Sequence, residues 1–343
     1  MSTSTKVEPT PEREQFTTVS KHLQFDPAGF AKEVETANER IKDYIYNTPL
    51  MHSDYFSEKL GCNLSFKFDH IQHTGSFKAR GAISKATTLS DEEKARGFVA
   101  ASGGNHGLGV CYAAKVFNTH ATIFVPNATP QFKIDKIRRM GGEVQIHGNS
   151  ICEAGYEAMD FAKEKDRSYI HGYRDEDVIR GQGTIALEIL EKQPDTDIIC
   201  VSVGGGGLIA GIAGYVKGKS PSTRVIGSQT RGADGMHESL EAGEIVILPA
   251  ITSIAESLGI RQVAKNTFEY VKHFVEDVHV VSDDEAMKDV VKILQYEKQL
   301  VEPAASCSLS ILTTGKVKDF KGKNVVVVLC GSNFPVERLQ KYI

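Results

Sequence analysis

No block of like charges, no C-x-x-C pair and no apolar run long enough to cross a bilayer occurs in these 343 residues. Net charge is only -4, so neither an electrostatic footprint for nucleic acid nor one for an anionic membrane is present. The expected partner is therefore a small molecule, with no nucleic acid and no membrane. Cys62, Cys111, Cys152, Cys200, Cys307 and Cys330 follow no apolar signal segment, and their spacing predicts reduced thiols in a cytosolic or organellar-matrix protein. A cytoplasmic location is the expectation. The longest apolar runs, "DIICVSV" and "NVVVVLC", have the length and β-branched content of buried parallel strands.

What is present is the 41% hydrophobic, 24% charged balance of a globular chain with room for two domains. Residues 1–24 are mostly polar and Pro-interrupted, and are read as a flexible tail. Beyond them, amphipathic helical patterns alternate with the strand-like runs "LSFKF", "FVAAS", "ATIFVP", "EVQIHG", "DIICVSV", "RVIGSQT" and "VVVVLC". Such alternation predicts an α/β fold with parallel or mostly parallel twisted sheets flanked by helices. The compact series over 96–175 is expected to form a small inserted α/β domain. Residues 25–95 and 176–343 would then make a larger domain on either side of it.

Ligands in such sheets sit at the carboxyl ends of strands, which singles out three loops. Gly204, Gly205, Gly206 and Gly207 follow one strand and open a helix, where converging backbone N–H groups suit a phosphate. Tight packing of helix on strand is the alternative use of those glycines. "ASGGNHG" places Ser102, Gly103, Gly104, Asn105 and His106 at another helix start, able to hold a carboxylate or to serve merely as a cap. Cys330 ends the last strand, where a cysteine is usually a small buried hydrophobe. In "HTGSFKARGA", Lys78 stands at the mouth of a core rather than on a surface. His70 and His73 have no further ligand at metal spacing, so no metal site is expected, and "GYRDED" at 172–177 reads as a solvated turn.

A lysine, a phosphate cradle and a carboxylate loop together suit an amino-acid enzyme that uses pyridoxal 5'-phosphate. "HTGSFKARGA", "SGGNHGLGV", "GQGTIALEI", "GGGGLIAG" and "VEPAA" occur in an order and spacing that resemble the fold type II pyridoxal-phosphate enzymes, with a tryptophan synthase β-like architecture. The chain most resembles their serine and threonine dehydratases, over about residues 30–335. That resemblance implies that Lys78 is the Schiff-base lysine and the base that removes the Cα proton. It also implies that Phe77 packs on the cofactor ring, Asn105 bonds its hydroxyl, Gly204 to Gly207 with Leu208 hold its phosphate, and Cys330 stands opposite its pyridine nitrogen. Ser76 and the Ser102 to His106 loop would bind the substrate. The implied reaction is elimination of the β-hydroxyl of serine, threonine or a relative to give a 2-oxo acid and ammonia, by a homodimer. Two departures stand out. Gln229 is neutral where relatives that bind a cation tend to be acidic, and "AES" at 255–257 replaces "ADG". Amino-acid racemisation on the same scaffold and a non-catalytic phosphate-ligand-binding role are the alternatives.

Overall fold

The computed structural model describes residues 25–343; the tail expected over 1–24 lies outside them. Ten strands alternate with helices: β1 (Leu50–His52), β2 (Asn63–Lys67), β3 (Phe98–Ala101), β4 (Ala121–Val125), β5 (Gly142–Ile146), β6 (Ser168–Tyr169), β7 (Ile198–Ser202), β8 (Arg224–Thr230), β9 (Asp277–Val281) and β10 (Asn324–Val328). They form a six-stranded sheet in the order β1-β2-β10-β7-β8-β9 and a four-stranded sheet in the order β5-β4-β3-β6. Every pairing is parallel except β1 with β2. Seven strands match the apolar runs of the sequence. β1 and β6, of three and two residues, are too short to carry a period. β9, "DVHVV", lies at the sheet edge with a half-exposed pattern that weakens its apolar signal.

β10 sits at the centre of the larger sheet because four of its five residues are buried apolar groups. Val325 lies in register with Leu64 of β2 on one side and with Ile198 of β7 on the other. Such a strand has apolar neighbours on both faces and satisfies its amides on both edges. Both sheets reverse their strand order, β2 and β7 flanking β10 in one, β4 and β6 flanking β3 in the other. Loops that leave adjacent strands at such a reversal diverge and leave a crevice. The loops after β2, β7 and β10, and those after β3 and β6, are therefore the ones that can build a site.

The helix Lys78–Thr88 starts beside the end of β10. Ser76 bridges Gly331, and the Phe77 amide donates to the Cys330 carbonyl at 3.0 Å. The same helix is fixed from below by a buried ionic cluster. The Arg80 guanidinium, fully buried, donates to Asp69 Oδ1 at 2.8 Å and to Glu188 Oε1 at 2.6 Å, and Lys67 Nζ donates to Glu188 Oε2 at 2.5 Å. Two cations and two carboxylates balance in a site that water does not reach. Among the described residues, no helix is long and apolar enough to cross a membrane.

Candidate active site

A cavity of about 460 Å³ opens between the two sheets and is lined by Phe77 and Lys78, by Ser102 to His106, and by His171 to Arg174. That volume suits a cofactor-sized or substrate-sized ligand. Lys78 is the first residue of its helix, and its Nζ donates to the Gly172 carbonyl at 2.5 Å. Burial pulls its amine down to about 8, with the nearby Cys330 opposing that shift. A lysine in this state has an accessible neutral form, as a nucleophile or base requires.

The loop after β3 gives the cavity its second wall. The helix Asn105–Val116 begins without a side-chain cap, so the cap reading of this loop is not the one realised. Ser102 Oγ instead accepts the Gly104 amide at 3.2 Å, which tightens the loop. The first amides of that helix and its positive dipole end favour an anion. Asn105 Nδ2 donates to Glu302 Oε1 at 3.0 Å and to Ser257 Oγ at 3.2 Å, while Asn105 Oδ1 accepts from Asn333 at 2.6 Å. His106 turns away from the loop, with Nε2 donating to the Ile170 carbonyl at 2.8 Å. Burial, with Lys78 adding to it, lowers His106 to about 3, so its imidazole is neutral.

The tetraglycine loop lies behind Tyr173. A Cβ on Gly205 would meet the Tyr173 ring at 2.4 Å, one on Gly207 would meet the Tyr173 backbone at 2.8 Å, and Gly206 has φ +90. Only glycine fits these three positions. The helix Gly207–Lys219 that follows also begins without a side-chain cap. Gly204 to Gly207, Leu208, Ser76 and Cys330 do not line the cavity. Cys330 is buried, and burial followed by Glu302 pushes its thiol well up, which keeps it neutral. A Lewis-basic lysine, a helix start stripped of side chains, an amide and a neutral thiol at the end of β10 fit a phosphorylated pyridine aldehyde.

A family model described as "Pyridoxal-phosphate dependent enzyme" matches residues 41–331. The chain belongs to the pyridoxal-phosphate dependent enzymes. Within that family it is 37% identical over 306 residues to an L-threonine ammonia-lyase of Geobacter sulfurreducens, covering 89% of this chain and 76% of the relative. The processed form of threonine deaminase isoform 2 from Solanum lycopersicum superposes with a TM-score of 0.87 at 29% identity, covering 95% of this chain and 89% of that one. Maize serine racemase superposes with a TM-score of 0.86 at 31% identity, covering 91% and 95%. The mixed α/β architecture expected from the sequence is the one these pyridoxal-phosphate enzymes share.

One feature of this family member escaped the sequence reading. "GYRDED" is not simply a solvated turn, because Gly172, Tyr173 and Arg174 line the cavity at the strand-order reversal beside β6. Its helix begins at Glu176. Position after a strand at a reversal could have found it, but β6 has only two residues. Glu302, which the "VEPAA" motif marks as resembling a family residue near the cofactor ring, is buried at the start of the helix Pro303–Thr313 and pushed up to about 7, chiefly by desolvation. The substituted "AES" segment lies on the cavity wall, Ser257 against Asn105 and Glu256 bridging Lys133 and Arg338 at the rim. Gln229 is engaged by backbone, donating to the carbonyls of Val203 at 3.0 Å and Ala233 at 3.1 Å.

Glu302 carries a pH-dependent stability. Its folded value lies above the ordinary 4.5, so the stabilisation linked to its proton is complete below 4.5 and is lost as pH rises through about 7. Above that pH a charged carboxylate is buried. Glu302→Gln keeps an acceptor for Asn105 without the charge, so its melting temperature relative to wild type is expected to be higher at pH 8 than at pH 5. Thermal melts at the two pH values check this; an equal difference at both would contradict it.

Proposed function

We propose that this protein is an ammonia-lyase that eliminates the β-hydroxyl of serine, threonine or a related β-hydroxy amino acid. The observation that carries the reading is Lys78, half-buried on the cavity wall with its amine lowered to about 8, in the same cavity as the uncapped helix start at Ser102 to Asn105. Its relatives include an L-threonine ammonia-lyase at 37% identity, which supports elimination over racemisation.

In this reading the amides of Ser102 to Asn105 bind the substrate carboxylate and fix the Cα–H bond toward Lys78. Lys78, once neutral, accepts the Cα proton at Nζ. The Cβ–O bond breaks and the hydroxide leaves as water by taking up the proton that Lys78 had accepted, which restores the neutral amine and leaves an enamine; addition of water to the enamine's imine tautomer gives the 2-oxo acid and ammonia. Pyridoxal phosphate, when bound, supplies the electron sink that makes the Cα proton removable. Phe77, Asn105, Cys330, and Gly204 to Gly207 with Leu208 would hold it, Cys330 as a neutral partner for the ring nitrogen. The boundaries of 96–175 for the small inserted domain, with 25–95 and 176–343 as the larger one, belong to the same reading, as do a homodimer and a cytoplasmic location. All four strands of the smaller sheet fall inside 96–175, which supports those boundaries.

Racemisation needs a proton donor on the face opposite the lysine, and Gly103 has no side chain to offer. The expected result is 2-oxo acid and ammonia in equal amounts from L-serine or L-threonine, with little D-enantiomer. A Cβ at Gly103 would meet Thr129 Cγ2 at 3.1 Å, so Gly103→Ser requires that side chain to give by a few tenths of an ångström. That variant is expected to raise the ratio of D-amino acid to 2-oxo acid. Chiral chromatography with ammonia determination checks both; wild-type D-product forming as fast as 2-oxo acid would contradict the lyase reading.

A further inference from the structure

His171 lines the cavity and immediately precedes the residue whose carbonyl holds Lys78 Nζ. Its Nδ1 accepts two backbone amides, from Tyr173 at 3.3 Å and from Arg174 at 3.2 Å. A ring nitrogen that accepts carries no hydrogen, so the neutral imidazole has its hydrogen on Nε2. Burial, followed by the charges of Arg174, His106 and Lys78, holds the group well below its ordinary value, so that tautomer persists across the neutral range. The ring is held edge-on by Tyr173, with centroids 4.5 Å apart, and by Tyr169 at 6.1 Å. Two other donors on this side of the cavity are engaged, His106 Nε2 with the Ile170 carbonyl and the Tyr173 hydroxyl with the Gln262 carbonyl at 3.2 Å. Among the described residues, nothing accepts from His171 Nε2, and protein does not close that atom off, which leaves it open to the cavity its ring lines.

We propose that His171 is a catalytic residue of the elimination, donating a hydrogen bond from Nε2 to the β-oxygen of the substrate and so favouring β-hydroxy amino acids over those with other β-substituents. This rests on the lyase reading for the chemistry at Cα. The substrate carboxylate belongs to the amides of the loop after β3, which leaves Nε2 to the substrate side chain. Lys78 takes the Cα proton and hands it to the departing oxygen, so that oxygen must come within reach of Nζ. Nζ is anchored on the Gly172 carbonyl, one residue from His171. A fixed N–H aimed at an oxygen that gains negative charge stabilises that charge without reorganisation at the moment of reaction. As the Cβ–O bond breaks, its electron pair stays on oxygen, the Lys78 proton completes the water, and the His171 hydrogen remains on Nε2 throughout. The imidazole is a donor and not a second base, because Nδ1 is taken by two amides and Nε2 already bears its hydrogen.

Chloride leaves β-chloroalanine without a proton and accepts hydrogen bonds weakly, whereas the hydroxyl of serine needs both a proton and a donor. In His171→Leu the ratio of kcat/KM for L-serine to that for β-chloro-L-alanine is therefore expected to fall about tenfold or more. His171→Gln, which keeps a neutral N–H, should retain part of the ratio. A merely structural role would lower both substrates alike. Binding gives a second readout: 3-hydroxypropionate has the carboxylate and the β-hydroxyl but no amine and cannot react, and propionate lacks the hydroxyl. Calorimetric titration of the wild-type holoenzyme should show 3-hydroxypropionate bound about threefold or more tighter than propionate, and His171→Leu should make the two equal. An unchanged kcat/KM ratio in His171→Leu overturns the proposal, and so does equal binding of the two acids by wild type or a preference that survives His171→Leu. Should His171→Leu not fold, the wild-type titration still decides. If no amino acid yields a 2-oxo acid, the lyase reading fails by itself, while the 3-hydroxypropionate preference still reports on His171.

Discussion

Lys78→Ala is expected to lose 2-oxo acid release by about three orders of magnitude or more while remaining folded. The loss follows from the geometry: Lys78 Nζ is a partly desolvated amine with a lowered proton affinity, lining the cavity and bonded to the Gly172 carbonyl. Folding should survive because alanine is a stronger helix former at the first position of Lys78–Thr88, and no cap is lost with the lysine. The substitution also removes the desolvation cost of an ammonium group. Steady-state assays with thermal melts check this. Activity within tenfold of wild type would place the chemistry elsewhere.

The second large effect is on stability. Arg80→Met is expected to destabilise the protein by about 3–5 kcal/mol, because it leaves Asp69 and Glu188 facing one remaining cation, Lys67, in a site closed to water. The Arg80 guanidinium also donates to Thr184 Oγ1 at 3.0 Å, a bond lost with it, while the Thr184 hydroxyl keeps its own bond to the Gly181 carbonyl at 2.7 Å. Arg80 is two residues beyond Lys78 on one helix, and loosening it should also weaken the seating of the lysine. Denaturant unfolding measures the change; a loss below about 1 kcal/mol would show that the cluster contributes little.

Much of the site could be read from sequence because its parts are local. Lys78 and the Ser102 to His106 loop, which line the cavity, each follow a strand or a glycine turn and carry their signal within ten residues; the Gly204 to Gly207 loop is as local in sequence but lies behind Tyr173, off the cavity lining. Long-range partners were not legible. Arg80 reads as a surface charge until Glu188, 108 positions away, folds against it. Arg174 sits among Asp175, Glu176 and Asp177, a composition that suggests solvent, and the two-residue strand before it has no period to mark the loop as a strand end. Glu302 follows the same pattern: its burial depends on Asn105 and Ser257, which come from separate loops. Tyr173 against the tetraglycine loop is likewise a contact between segments some thirty positions apart, and it explains the glycines by packing as well as by anion binding.

The most direct test of the account is to find which lysine holds the cofactor. Borohydride converts a reducible link between lysine and pyridoxal phosphate into a stable amine, so reduced holoenzyme can be digested and its peptides weighed and sequenced by mass spectrometry. The account predicts one modified peptide, spanning "TGSFK", with the added mass on Lys78. A cofactor mass on any other lysine, or on none, would contradict it.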